Sequence, residues 1–341
     1  MTPSFSAEAL HLDPAAACAE IEAAIQVQVL RQLHRRGVVL GLSGGVDSSV
    51  VASLCARALG ADRVFVLFMP EEDSAPESLE LAKQVASKLG VASATESITP
   101  ILVAAGCYRR RDEAIRKVIP AYEEGWKSKL VVGGGGAYSF FTIVAESPEG
   151  VRQSARLSLQ AYHGVVSATN FKQRTRKMLE YYHADRLNYA VVGTPNRLEH
   201  DQGFFVKGGD GAADLKPIAH LYKCQVYQLA EWLGVPEEVR LRPSTTDTYG
   251  LPQTQEEFYF SVPLLKMDLC LFGKDHGVSA TEVASAAGLR PEEVERVYMN
   301  IEAKRRAAAY LHQTPLLVQS EPSSVSRSTV GSRTTTQRDS T

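Results

Sequence analysis

Ser43-Gly44-Gly45-Val46-Asp47-Ser48-Ser49 joins a short apolar run, Val38 to Leu42, to a helical apolar pattern, Ser48 to Leu59. A buried parallel strand that ends in glycines and enters a helix gathers backbone N–H groups at the helix N-terminus, where they attract anions. Gly44 and Gly45 let the backbone approach a phosphate and take positive φ. Ser43, Ser48 and Ser49 add hydroxyl donors. Asp47 is the informative residue, because a carboxylate beside a phosphate repels it unless a divalent cation lies between them. Asp47 therefore predicts Mg²⁺. No Lys-Ser/Thr pair follows the glycines, so this is not a Walker A loop, and it is not GxGxxG. A bare Ser-Gly-Gly reads as a tight turn. The longer pattern, with a strand before it and a helix behind it, reads as a phosphate seat.

The flanking sequence supplies the frame for such a seat. Asp13-Pro14 predicts an N-cap and first-turn proline. Ile21, Ile25, Val29 and Leu33 form one helical face, and Gly37 predicts the stop. Val64 to Met69 reads as a second buried strand, Pro76 to Leu89 as a helix closed by Gly90, and Tyr189 to Val192 as a further strand. Strand–helix–strand alternation with short links implies parallel pairing and right-handed crossovers. The expected fold class is α/β: a doubly wound, Rossmann-like parallel sheet with flanking helices. Gly133 to Gly136 predicts a loop, and two β-favouring runs around Pro148-Glu149-Gly150 predict a hairpin. Helices are expected over Phe171–Asp185, Leu221–Leu233 and Pro291–Leu311, with a capping box at Ser279 and Glu282. The polar, Ser/Thr-rich end predicts a disordered tail. The organisation read from this is residues 1–128 as the first part of an α/β domain and 129–168 as an inserted β-hairpin and loop. Residues 169–318 are its remainder and 319–341 the tail.

With 341 residues and a net charge of −2, the chain has no basic field to suggest a nucleic-acid partner. The runs Arg109-Arg110-Arg111 and Lys304-Arg305-Arg306 read as solvated helix faces. Five scattered cysteines without a CxxC pair argue against a disulfide framework and for a reducing compartment. The first residues, Met1 to Pro14, lack a basic and an apolar signal region, and no apolar run approaches bilayer length. The expectation is a cytoplasmic protein with no membrane partner.

The loop resembles the pyrophosphate-binding loop of the ATP pyrophosphatases, whose fold is the adenine nucleotide alpha hydrolase type. The second half narrows this. Asn170 to Arg176, NFKQRTR, followed by Tyr181, and Gly193 to Lys223, GTPNRLEHDQGFFVKGGDGAADLKPIAHLYK, are similar to the ammonia-dependent NAD synthetases. The resemblance implies adenylation of the carboxylate of nicotinic acid adenine dinucleotide by ATP, then displacement of AMP by ammonia. On this sequence it implies Asp47 and Glu199 as Mg²⁺ ligands and Lys223 on the ATP phosphates. Ser43, Gly44, Gly45, Ser48, Ser49, Thr194 and Ser244 complete the ATP side. Asn170, Arg174, Lys207, Asp210, Asp214 and Lys304 would bind the dinucleotide. Asp47 and Lys223 are the implied catalytic pair. Without the motif, Lys223 reads as a solvated helix-start lysine and Asp214 as a turn or cap residue.

Three positions depart from the family pattern. Gln255-Glu256 stands where an acidic pair is common, Ala303-Lys304 where His-Lys is common, and Pro195 where the ammonia-dependent forms carry aspartate. A ligase amidating a different carboxylic acid in a specialised pathway is the alternative, and a non-catalytic nucleotide-binding module is a third reading. No segment has room for a glutaminase, so free ammonium or a separate amidotransferase partner is expected as nitrogen source. The family implies a homodimer.

Overall fold

The computed structural model describes residues 5–133, 140–245, 248–260 and 262–318. Helix α1 (Pro14–Gln26) opens under Asp13, whose side chain accepts from the N–H groups of Ala15 and Ala16. It runs on through a π-helical turn, Val27–Gln32. The chain then reverses at His34 (φ 52°), ahead of the expected stop at Gly37. Gly37 meets a different demand. A Cβ there would lie 2.3 Å from the Arg63 carbonyl and 2.6 Å from the Tyr189 ring, so only glycine fits between two strand ends.

Strands β1 (Val38–Gly41), β2 (Val64–Phe68) and β3 (Ala92–Thr95) alternate with α2 (Val46–Leu59) and α3 (Pro76–Leu89). Helices α4 (Thr99–Ala104) and α5 (Cys107–Arg116) follow β3. Next comes an antiparallel sheet of β4 (Lys127–Gly133), β5 (Phe140–Glu146) and β6 (Arg152–Arg156). The Ser147–Gly150 turn joins β5 to β6 as the Pro-Glu-Gly signal predicts. The rest of the expected glycine loop, 134–136, lies outside the described residues, as does the 319–341 tail. The expected extent of this segment needs correcting. Its sheet already begins at Lys127, and residues 159–168 belong to α6 (Leu159–Leu187), one helix that runs through the expected boundary. Gly164 explains the continuity. A Cβ there would lie 2.8 Å from that of Ala114, so the glycine serves close packing of α6 on α5 instead of a break.

Strand β7 (Ala190–Val191) completes the main sheet, whose order is β3-β2-β1-β7 with every pair parallel. Val38 pairs with Val64 on one side and Ala190 on the other. Leaving β1 the chain moves to β2, and it returns on the opposite side as β7, so the β1–β7 crevice is the topological switch point where ligands bind in open α/β sheets. The remaining helices are α7 (Arg197–Gln202), α8 (Lys223–Trp232), α9 (Glu237–Leu241), α10 (Leu264–Asp275), α11 (Ala280–Ala287) and α12 (Pro291–His312). Val38 and Leu40 of β1 pack with α1, α2, α3 and α8. Val39 faces the other way, onto α4, α5 and α6. The last three helices form a separate core that also buries Leu10. No described helix is long and apolar enough to cross a membrane.

The two basic runs are not solvated faces throughout. Arg111 is buried and pairs with Asp73 at 2.6 Å. Arg305 bridges Asp201 and Asp275, and Lys304 donates to the Tyr259 carbonyl at 2.6 Å. Carboxylates or a carbonyl satisfy these cations in place of part of their water: Arg111 is buried, and Lys304 and Arg305 are half-buried.

Candidate active site

Gly44 sits at φ 79°, and a Cβ on it would lie 2.3 Å from the Ser78 carbonyl oxygen. The loop therefore packs directly on α3 and hands the chain to α2 with Gly45 as N-cap. Its hydroxyls organise the turn. Ser48 Oγ accepts from the Ser43 N–H (3.3 Å) and bonds the Gly45 carbonyl (3.1 Å). Ser49 Oγ donates to the same carbonyl at 2.8 Å and is fully buried. Ser43, Gly45, Asp47 and Ser48 line a cleft of about 280 Å³ at the carboxyl edge of the sheet, whereas Gly44 and Ser49 shape it from behind. The N-terminal end of α2, a four-turn helix, presents its positive dipole to this cleft.

Two carboxylates converge here from different elements. Asp47 Oδ2 pairs with Lys223 Nζ, and Asp47 Oδ1 accepts from Asn196 Nδ2 at 3.1 Å. Glu199 Oε2 accepts from the Asn196 N–H (3.1 Å), half of a capping box that opens α7, and Glu199 Oε1 accepts from Gln255 Nε2 (3.0 Å). Burial, and then the charge of Asp47, push the Glu199 carboxyl up to about 7. Burial alone would lower the Lys223 ammonium, but the charges of Asp47 and Glu199 outweigh it and raise its pKa. Thr194 and Ser244 also line the cleft, and the Ser244 hydroxyl lies 3.3 Å from that of Tyr227.

The residues implied for the dinucleotide are placed less uniformly. Asp210 lines the cleft and accepts from the Val206 N–H at 2.8 Å, with burial raising its carboxyl. Asn170 is half-buried on α6 and Arg174 is exposed, its Nε 3.3 Å from the Lys207 carbonyl. Lys207 Nζ donates to the carbonyls of Tyr310 and Gln313, at 2.8 and 3.0 Å. Asp214 accepts from the Val191 N–H at 2.7 Å and the Tyr181 hydroxyl at 3.4 Å, so it ties its segment to the end of β7 and to α6 and is not the local turn or cap residue that its type alone suggests. Burial lowers the Lys304 ammonium to about 7. Asn170, Arg174, Lys207, Asp214 and Lys304 do not line the cleft in this chain.

The NAD synthase family model matches residues 18–119 and 148–308. The chain belongs to the NAD synthase family. The unmatched stretch, 120–147, holds β4 and β5, so most of the antiparallel sheet is an addition to what the family model describes. The chain is similar to the NH(3)-dependent NAD(+) synthetase of Rhizobium meliloti (strain 1021), 58% identical over 318 residues that cover 92% of this chain and 95% of that protein. It is 35% identical over 282 residues to the protein of that name from Thermotoga maritima, covering 81% and 92%. Two solved structures share its fold. NMN synthetase from Francisella tularensis gives a TM-score of 0.61 at 20% identity, covering 90% of this chain and 99% of that one. NH3-dependent NAD synthetase from Campylobacter jejuni, in complex with the nitrate ion, gives 0.58 at 24% identity, covering 90% and 100%.

This NAD synthase family member also gives roles at or beside its cleft to residues for which the sequence alone assigned none. Asn196 ties Asp47 to the first turn of α7, and the Asn196-x-x-Glu199 spacing was its readable signal. Gln255 braces Glu199, while its own buried Oε1 has no partner. Arg176, Lys177 and Glu180 line the cleft from α6; Arg176 ends the NFKQRTR stretch, but no local pattern announces Lys177 or Glu180, because a helical charge run looks the same on a solvated face.

Proposed function

We propose that this cleft carries out the AMP- and pyrophosphate-forming amidation of nicotinic acid adenine dinucleotide to NAD. The chain is an NAD synthase-type ligase, and its 58% identity to an NH(3)-dependent NAD(+) synthetase supports ATP and ammonia as co-substrates. The observation that carries the reading is the joining of Asp47, Lys223, Asn196 and Glu199 at the N-terminus of α2.

In the first step an acceptor carboxylate oxygen attacks the α-phosphorus of ATP and the bond to the β-phosphate bridge breaks, giving an acyl-adenylate and pyrophosphate. In the second, ammonia adds at the acyl carbon, AMP leaves and a proton is lost. Two anions must approach, so charge control is the main demand on the protein. The N–H groups of the loop, with the Ser43 and Ser48 hydroxyls, seat the phosphates, and Thr194 and Ser244 extend that seat. Lys223, held by Asp47 and excluded from water, supplies a fixed positive charge beneath it.

The donor set suits Mg²⁺. Burial and the nearby charge of Asp47 raise the proton affinity of Glu199, and a hard cation held by the two carboxylates would replace that proton. When bound, such an ion neutralises charge on the phosphates as pyrophosphate leaves. Asp47 and Glu199 would hold it, and Asn196 and Gln255 would orient them.

The proposal includes a homodimer, with Asn170, Arg174, Lys207, Asp214 and Lys304 serving the dinucleotide beyond the cleft. It also includes free ammonium or a separate amidotransferase as nitrogen source, and the cytoplasm as setting. The deciding experiment incubates the full chain with ATP, Mg²⁺, ammonium and nicotinic acid adenine dinucleotide. Equal amounts of NAD and pyrophosphate are expected, and no pyrophosphate with this acid would overturn the reading.

A further inference from the structure

We propose that Lys177, braced by Glu180, receives the carboxylate of the acceptor inside the cleft and so makes the site prefer the acid to the amide. This rests on the amidation reading above.

The cleft must hold a second anion besides the triphosphate, and most candidate cations are committed elsewhere. Lys223 is paired with Asp47, and Lys207 and Lys304 are bonded to carbonyls. Arg174 is exposed. None of these four lines the cleft. Of the cations that do, Arg242 donates to Ser78 Oγ at 2.8 Å, on the α3 side, and Arg176 directs its Nε to the Met69 carbonyl at 3.4 Å. Lys177 differs from both. Its side chain is 6% exposed, and it makes one hydrogen bond among the described residues, to Glu180 Oε2 at 2.5 Å. An ammonium carries three donors, so two remain for a ligand.

Its position suits the acceptor better than the triphosphate. The phosphate seat belongs to α2, on one face of the sheet, while Lys177 belongs to α6, on the other. The two meet at the β1–β7 crevice. Glu180 Oε1 lies 2.9 Å from where a Cβ on Gly41 would stand, and Gly41 is the last residue of β1, two residues before Ser43. Glu180 Oε1 has no hydrogen-bond partner among the described residues, and Asp210 lines the same wall. An acid entering from the α6 side is thus met by one buried cation at the strand end that carries the phosphate loop. Glu180 holds that cation in place, and the neighbouring carboxylates repel an unpaired second acid. An amide has no negative charge to exchange for that of Glu180, so it gains less from Lys177.

The test measures dissociation constants for nicotinic acid adenine dinucleotide and for NAD by calorimetry on the full chain, together with KM for the acid and for ATP. Lys177→Met is expected to weaken acid binding about tenfold or more, to leave amide binding and the KM for ATP within about twofold, and to erase acid-over-amide preference. Lys177→Arg should restore much of the preference. If Lys177→Met does not fold because Glu180 is left unpaired, the double variant Lys177→Met/Glu180→Gln removes both charges and should show the same loss of preference. An unchanged acid-to-amide ratio in a folded variant overturns the proposal, as does a rise confined to the KM for ATP. NAD formation by the unaltered protein keeps the amidation reading standing in either case, and its absence removes that reading independently.

Discussion

Lys223, behind the cleft lining, forms an ion pair with Asp47, which lines it, and Asn196 closes the pair by donating to the second carboxylate oxygen at 3.1 Å. The lysine is 1% exposed, so its charge depends on this partner. Asp47→Asn keeps the shape and the Asn196 contact but takes the ion-pair partner from a buried ammonium and leaves Glu199 as its remaining nearby carboxylate, which costs up to about 3–5 kcal/mol. The expected outcome is a lowered unfolding midpoint and a loss of pyrophosphate release of about 10²-fold or more. Calorimetry and a pyrophosphate assay check the two parts. Full nucleotide cleavage in this variant would remove Asp47 from the chemistry.

Glu199 gives the unliganded protein a distinct pH signature. Its carboxyl titrates near 7 when folded, because of burial first and the Asp47 charge second, and near about 4.3 when unfolded. Between those values the folded chain holds a proton that the unfolded chain has released, so unfolding free energy falls as pH rises. This contribution is complete below the unfolded value and lost as pH passes the folded one. The difference in stability between wild type and Glu199→Gln should therefore shrink or reverse across about pH 4.5 to pH 7, by an amount on the order of a few kcal/mol. Denaturant titrations at several pH values measure it. Millimolar Mg²⁺ should raise the wild-type unfolding midpoint more above this window than below it, because cation and proton compete for the same oxygens.

Gly44 and Gly90 both have positive φ, yet they differ in what surrounds them. A Cβ at Gly44 would lie 2.3 Å from the Ser78 carbonyl, while at Gly90 nothing lies within 4 Å. Gly90→Ala should lose about 1–2 kcal/mol from the left-handed backbone alone. Gly44→Ala should lose more, since the loop must also lift off α3, and should weaken ATP binding by about tenfold or more. Thermal unfolding and calorimetric titration of ATP compare the two. Equal effects at the two glycines would show that the loop does not depend on its contact with α3.

What could be read in the sequence was what local chemistry determines. The loop, its strand and its helix follow from glycines, a β-branched run and a helical apolar pattern, and Pro76–Leu89 and the Ser279 box appear where their end signals put them. Residues whose role comes from distant segments could not be read in this way. Arg111 and Lys304 looked like members of exposed runs, because burial depends on α6 and on the Tyr259 segment, both far away in the chain. Lys177 and Glu180 were unmarked for the same reason: an i, i+3 charge pair has the same pattern whether it faces water or a cleft. The implied dinucleotide residues carry a family motif, but Lys207 bonds two backbone carbonyls, and Asp214 a backbone N–H and the Tyr181 hydroxyl, within this chain.

Lys172 shows how a buried charge far from the phosphate loop reaches the cleft. Its ammonium meets Glu71 at 2.9 Å, Asp73 at 2.6 Å and the Thr248 carbonyl at 2.7 Å, at 1% exposure. Tyr108 donates to Glu71 as well, at 2.8 Å. The node thus fixes the segment after β2 from two sides, and Met69, Pro70, Ser74 and Ala75 of that segment line the cleft. Lys172→Met leaves Glu71 buried beside Asp73 without its main counter-charge, so it should lose about 3–5 kcal/mol of stability. The freed segment should also raise the KM for ATP more than it lowers kcat. Adding Glu71→Gln removes the uncompensated carboxylate, since Asp73 keeps Arg111 at 2.6 Å, and should recover part of the stability without recovering the KM, because the tie to Thr248 stays broken. Urea titrations and steady-state kinetics separate the two effects. A single variant with reduced stability and unchanged KM would confine Lys172 to the core.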